Sequence, residues 1–173
     1  VYDPNFKPAY IELLEFYKKS SKTIKIALER NNKLTYVKDI NISDNIEESY
    51  FYVERIIKTL LWLVGGFKIY VHGNKEIYEK LKQDYSATGK RSFDYHFMGK
   101  VYDSAFEVVY VEDIKLFPTE KNESIKIGGH KNGNRIGFDA GGSDRKVSAI
   151  SNGEVIYSEE VLWLPKLNDD YNY

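Results

Sequence analysis

The feature of the sequence that most constrains the fold is residues 135–157, where short apolar segments alternate with turns of small residues. The first apolar segment, residues 136–138, runs into Asp139 and is followed by an Ala-Gly-Gly-Ser turn at residues 140–143. A second apolar segment and a Ser-Asn-Gly turn come next, and a third segment begins at Glu154. Short apolar segments bounded by Gly, Asn, Asp and Ser are typical of β-strands. The stretch therefore predicts three consecutive strands joined by tight turns.

The chain that precedes this stretch predicts both helices and strands. In residues 8–19 the apolar side chains recur at helical spacing, which indicates an amphipathic helix. Residues 23–29 alternate between apolar and polar side chains, and residues 34–40 return after a short polar turn, which together predict a β-hairpin. Residues 67–71 and 106–111 are short and largely apolar, and we expect each of them to be a strand.

The longest helix is expected to follow Asp44, which we interpret as its N-cap, with Glu47 at the third helical position. The helix is expected to end at Gly65-Gly66, since glycine commonly follows the last helical turn. Asn74 is expected to cap a further helix that ends at Gly89. The longest helix carries an apolar stripe at spacings of three and four residues, made of Val53, Ile56, Ile57, Leu60, Leu61 and Val64.

These elements predict an α/β (α+β) fold in which a mixed sheet has helices packed on it. Residues 91–104 are aromatic but follow neither the helical nor the strand period, and we assign them no regular structure. Residues 118–134 are rich in Gly, Asn, Lys and Glu and are predicted to be a linker. We therefore expect a front domain at residues 1–125, and at residues 126–173 the linker and the start of a second domain.

The composition excludes several classes of protein. The net charge of −1 gives no electrostatic basis for binding nucleic acid or an anionic membrane. No apolar run reaches the roughly 18 residues that a membrane-spanning helix needs. The absence of cysteine excludes disulfides, thiolate metal sites and a cysteine nucleophile, and it suits a cytoplasmic location.

The turn at residues 140–143, which we call the Gly-Gly turn, has the residue types that bind phosphate. Gly141 and Gly142 permit positive φ and let the backbone approach a ligand without a Cβ in the way. Successive amides in such a turn attract phosphate oxygens, and Ser143 adds a hydroxyl donor. Asp139, at the end of the preceding strand, could hold Mg²⁺ through water. The alternative interpretation is a plain hairpin turn, with glycine for its geometry and Asp for its turn propensity.

Residues 136–147, IGFDAGGSDRKV, resemble the first phosphate-binding hairpin of the sugar kinase, Hsp70 and actin superfamily. Within it they are most similar to the ROK family, which contains bacterial sugar kinases and sugar-responsive repressors. The resemblance implies that Asp139 lies near the Mg²⁺ site and that Gly141, Gly142 and Ser143 lie near the nucleotide phosphates. The family usually has Thr where Ser143 stands, and many members have Lys where this chain has Asp144.

The resemblance implies that the chain is the N-terminal part of a ROK-like sugar kinase, which would bind Mg-ATP and a sugar when complete. The family's second phosphate loop, adenosine loop and catalytic Asp would lie beyond Tyr173, so we assign no catalytic residue and expect no turnover. Residues 1–125 do not match the winged helix-turn-helix of ROK repressors, which argues against DNA binding. Two alternatives stay open, a non-catalytic sugar- or nucleotide-sensing module and a protein-interaction domain. The unprotected edge strands of the 135–157 stretch also predict that it pairs either with the front sheet or with a second copy of the chain, as a homo-oligomer.

Overall fold

The computed structural model describes Asp3, residues 6–123 and residues 127–170. The chain divides into two compact units, Val1–Glu123 and Ser124–Tyr173, which we call the first and the second unit. The predicted boundary between residues 125 and 126 lies outside the described residues. Four α-helices and two sheets are present in the described part of the chain, which confirms the predicted α+β class. None of these helices has the length and apolar character needed to cross a membrane.

The first unit contains a four-stranded mixed sheet with the strand order β2-β1-β3-β4. The predicted hairpin is confirmed, because β1 (Lys22–Glu29) pairs antiparallel with β2 (Thr35–Ile42). On its other side β1 pairs antiparallel with β3 (Lys68–His72), and β3 pairs in parallel with β4 (Glu107–Tyr110). The two predicted strands after the longest helix are therefore also present.

Four helices accompany this sheet, with bounds Ala9–Lys18 (α1), Ile46–Leu63 (α2), Lys75–Asp84 (α3) and Ser92–Tyr102 (α4). The predicted cap of α3 is confirmed, since the Asn74 side chain accepts the Ile77 amide at 2.9 Å. The predicted cap of α2 is wrong by one residue.

At the start of α2 it is Asn45, and not Asp44, whose side chain accepts a helical amide, that of Glu48 at 3.1 Å. The Asp44 carboxylate instead lies 2.6 Å from the ammonium of Lys22. At the other end of α2 the prediction is confirmed, because the helix stops just before Gly65, which has a φ of +85°. A left-handed conformation after the last helical turn favours glycine, which has no Cβ.

The sheet and the helices enclose the hydrophobic core of the first unit. The alternation predicted for β1 is confirmed, with one face of the strand fully buried. The apolar stripe of α2 packs into the same core, which contains Ile24, Ile26, Leu28, Val53, Ile57, Leu61, Ile69, Val71, Ile77 and Leu81. Burying one such side chain stabilises the fold by roughly 1.5–3 kcal/mol.

The helix α4 occupies the aromatic stretch to which the sequence assigned no structure. Its inward side buries only Asp94 and Met98, so no apolar stripe marks it in the sequence. The loop before α4 also differs from the prediction, because α3 ends at Asp84 and not at Gly89. Gly89 lies close under the last turn of α3, where a Cβ would stand 2.2 Å from the carbonyl oxygen of Gln83.

Residues 118–123, predicted to be part of the linker, are instead held on the first unit. Lys121 exchanges two backbone hydrogen bonds with Thr35 of β2, at 2.8 and 2.9 Å. Residues 127–133 form no helix or strand, and residues 124–126 of the predicted linker lie outside the described part.

The second unit is a three-stranded antiparallel sheet in the order β5-β6-β7, which confirms the three predicted strands. Their bounds are Asn134–Ala140 (β5), Asp144–Ser151 (β6) and Glu154–Leu162 (β7). Asn152 and Gly153 both have positive φ, as a tight hairpin turn between β6 and β7 requires. None of the described residues of this unit is buried, and β5 and β7 are the two edge strands of its sheet.

Candidate functional site

The Gly-Gly turn connects β5 to β6 and brings together the four residues that the sequence selected, Asp139, Gly141, Gly142 and Ser143. Asp139 is exposed and pairs in register with Lys146. Lys146 lies 3.6 Å from the Glu160 carboxylate and 3.9 Å from that of Asp144. Among the described residues no ion pair or hydrogen bond involves the Asp139 carboxylate. Its charge is therefore available to a cation from solution.

The backbone amides of the turn are also available. Within the part of the chain that the structure describes, the amides of Gly141, Gly142 and Ser143 donate no hydrogen bond. The turn is held from its other side, because the Ser143 carbonyl accepts the amide of Trp163 at 3.1 Å. Because this hydrogen bond uses a carbonyl and not an amide, the amides of the turn can still donate to an anion. Backbone amides in concave turns bind phosphate oxygens.

The reason for glycine in this turn differs from the prediction. Neither Gly141 nor Gly142 has a positive φ, so left-handed geometry does not explain them. At Gly141 the reason is steric, since a Cβ would lie 2.7 Å from the carbonyl oxygen and 2.9 Å from Oδ1 of Asp144. Gly142 faces open space, where a Cβ would meet no atom within 4 Å. The backbone around Gly142 is therefore the part of the turn that a ligand can approach most closely.

The chemistry of these groups suits a hydrated Mg²⁺ bound to phosphate. Mg²⁺ keeps several of its waters and is commonly held by one or two carboxylates together with substrate phosphates. Asp139 supplies one carboxylate, and the free amides supply phosphate donors. In the described residues, no three His, Cys, Asp or Glu side chains come together as a metal-binding group. The turn could therefore form one side of a site for such a complex.

A second set of functional-type residues lies in the first unit, and the sequence did not connect its members. Glu54 of α2 is buried, with 4% of its surface exposed. It accepts two hydrogen bonds from the Arg91 guanidinium, at 2.5 Å from Nε and 2.9 Å from Nη2. The Tyr85 hydroxyl donates a longer one at 3.4 Å. This bidentate pair joins α2 to the loop that precedes α4.

Asp94 of α4 is the second buried carboxylate, with 2% of its surface exposed. It accepts hydrogen bonds from the Lys58 ammonium and from the Trp62 indole, the latter at 2.7 Å. The indole ring stacks on Phe97 with ring centroids 5.2 Å apart, and Phe93 lies parallel to it at 6.2 Å. Trp62, Phe93 and Phe97, which we call the aromatic cluster, remain 47%, 64% and 40% exposed.

The ionisation of these groups indicates a structural role. Burial raises the pKa of Tyr85, and the Glu54 carboxylate raises it further. Burial also raises the pKa of Tyr50, which donates a 2.5 Å hydrogen bond to Asp84. The hydrogen bonds that Arg91 donates to the Glu54 carboxylate raise the pKa of Arg91 above its ordinary value. All three shifts move titration away from neutral pH, whereas a general acid or base works best when its pKa lies near the working pH.

Comparison of the chain with protein-family models, with curated proteins and with solved structures finds no match. The assignment of the chain to the ROK family therefore stays a prediction, and it rests on residues 136–147.

Proposed function

We propose that the chain is the N-terminal part of a ROK-like sugar kinase and that the Gly-Gly turn binds the phosphates of Mg-ATP in the complete protein. The observation that carries the proposal is the combination of an unpaired Asp139 carboxylate with three free amides in one exposed turn.

In the proposed site each group has a separate task. Asp139 holds water molecules of the hydrated Mg²⁺, and the metal neutralises charge on the transferred phosphoryl group. The amides of Gly141, Gly142 and Ser143 hold phosphate oxygens, and the Ser143 hydroxyl can donate a further hydrogen bond. The remaining walls of the nucleotide site and the base that acts on the sugar would come from other parts of the complete protein.

Replacing Asp139 with asparagine is expected to weaken binding of Mg-ATP by the complete protein at least about tenfold, the effect of losing one charged interaction. The substitution keeps the size of the side chain and removes its charge. Isothermal titration calorimetry with Mg-ATP measures the change.

The matched control is Glu160→Gln, which removes a carboxylate of similar exposure from β7 and leaves the turn intact. Its affinity for Mg-ATP is expected to equal that of the unchanged protein. Equal affinities for Asp139→Asn and the unchanged protein would refute the proposed site.

The aromatic cluster supports a second candidate, a protein-interaction function of the first unit. Three large exposed rings on α2 and α4 form one surface, and a hydrogen bond to the buried Asp94 fixes the orientation of Trp62. Aromatic residues, tryptophan above all, are enriched at the centres of protein interfaces. A side chain that is already ordered loses little conformational entropy when a partner binds.

A photo-crosslinking amino acid at Phe93 tests this second candidate in cells that produce the protein. We expect a discrete crosslinked protein adduct from position 93. The same amino acid at Glu79, exposed on α3, is the control and should give none. No adduct at either position, or equal adducts at both, would exclude a binding surface at the aromatic cluster.

A further inference from the structure

We propose that two copies of this chain associate through β5, whose sequence is complementary to itself in the antiparallel direction. β5 is one edge of the three-stranded sheet, and all seven of its residues are exposed. An exposed edge presents unpaired backbone donors and acceptors along its length, which is a template for pairing with another strand.

The sequence of β5 determines how two copies would pair. If the two-fold axis passes through Gly137, Arg135 of each copy lies opposite Asp139 of the other, and Ile136 lies opposite Phe138. The pairing therefore contains two opposite-charge pairs on one face and two apolar pairs on the other, and each kind stabilises antiparallel strands. The two copies of Gly137 face each other at the centre with no side chain between them.

Other registers lose this match. A two-fold axis perpendicular to the sheet preserves its faces, so only residues of the same face can lie opposite each other. Moving the axis to Ile136 places Arg135 opposite Gly137, and moving it to Phe138 places Asp139 opposite Gly137. Both alternatives leave charged groups without partners and pair fewer residues. The register centred on Gly137 is therefore favoured, because it pairs all the charged residues of β5 and aligns the largest number of residues.

The charged groups are free to make these contacts. The Asp139 carboxylate has no partner among the described residues. The Arg135 guanidinium donates to the carbonyl oxygens of His130, at 3.3 Å, and Asn134, at 3.2 Å. Since a guanidinium carries five N–H donors, donors remain for the Asp139 carboxylate of a second copy.

The opposite edge of the sheet is protected. β7 carries Glu154, Glu159 and Glu160 and no basic residue. Self-pairing of β7 would bring carboxylates together with no basic residue on the partner strand to pair with them. Charged residues of one sign are a common means of preventing edge-to-edge association. The contrast between the two edges favours a closed dimer through β5 over an open chain of copies.

Charge reversal with rescue tests this pairing on the full 173-residue chain. Because the contact is small, we expect a dissociation constant roughly in the micromolar to sub-millimolar range, measurable by sedimentation equilibrium. In a dimer of either R135D or D139R, both pairs between positions 135 and 139 join residues of the same charge. Each variant is therefore expected to weaken the dimer by roughly 30-fold or more. An equimolar mixture of the two variants restores both opposite-charge pairs and is expected to restore association.

The matched control is E154R, which reverses a charge on the other edge strand and should leave the dimer unchanged. A chain that remains monomeric over the whole concentration series would overturn the proposal. So would an unchanged dissociation constant in both single variants, or a mixture that fails to associate while circular dichroism shows both variants folded. Arg135 has no part in the proposed phosphate site, so R135D is expected to weaken the dimer while Mg-ATP binding by the complete protein is retained. The two proposals can therefore fail independently.

Discussion

Arg91→Met is expected to lower the free energy of unfolding of the first unit by about 3–5 kcal/mol. Methionine fills much of the same space but leaves the buried Glu54 carboxylate without its two guanidinium hydrogen bonds. An unpaired charge in a buried position is far more costly than an exposed one, because water cannot replace the lost partner. Urea denaturation followed by far-ultraviolet circular dichroism measures the loss.

Two further variants separate the cost of the unpaired charge from other effects. Glu54→Leu together with Arg91→Met replaces both charges by apolar groups, and this double variant is expected to be nearly as stable as the unchanged protein. Lys80→Met removes an exposed ion pair to Glu47 and should cost no more than about 0.5 kcal/mol. A loss below about 1 kcal/mol for Arg91→Met would contradict the prediction.

Gly89→Ala is expected to destabilise the first unit by about 3 kcal/mol, at the upper end for overpacking. The added methyl group would stand 2.2 and 2.3 Å from two backbone carbonyl oxygens at the end of α3, so the backbone itself would have to move. The displaced segment includes Arg91, whose amide donates to the Asp84 carbonyl at 2.8 Å. The same denaturation experiment applies.

Thr88→Ala, at the exposed neighbouring position, is the control and should change stability by less than about 0.5 kcal/mol. The shifted loop would also loosen the pair between Glu54 and Arg91. The double variant Gly89→Ala/Arg91→Met should therefore lose less stability than the sum of the losses in the two single variants. Strict additivity, or no loss from Gly89→Ala, would show that the loop relaxes without disturbing the pair.

The parts of the fold that follow from local pattern could be predicted from the sequence. The alternation of Ile24, Ile26 and Leu28 specified a strand with one buried face, and Gly65 marked the end of the longest helix. The cap of that helix was predicted one residue early, because Asp44 and Asn45 are both good capping residues. Local sequence does not show that Lys22, on β1, will pair with Asp44 and leave the cap to Asn45.

The parts that depend on distant contacts could not be predicted. The inward positions of α4 are occupied by Asp94 and Met98, so its helical period is not an apolar one. Asp94 is tolerated inside only because Lys58 and Trp62, more than thirty residues earlier, satisfy it. Likewise, nothing near Glu54 in the sequence indicates that a loop residue 37 positions later will neutralise it.

In the candidate site, too, local sequence predicted some features and not those that depend on the folded arrangement. Asp139 and the Gly-Gly turn were selected from residue types alone, and the structure places Asp139 near the end of β5 and the other three residues in the turn that follows. The reason for Gly141 was not predictable, because it depends on where the Asp144 side chain folds after the turn. Whether the turn binds a nucleotide stays a prediction until it is measured in the complete protein.

The carboxylate of Asp139 connects the two proposals, because a hydrated metal and the Arg135 guanidinium of a second copy would compete for its single charge. If a metal–nucleotide complex bound to Asp139 lowers the affinity of the two copies for each other by some factor, dimer formation lowers the affinity for that complex by the same factor. In such a protein the level of nucleotide would govern how many copies are joined, and protein concentration would govern how tightly nucleotide is held.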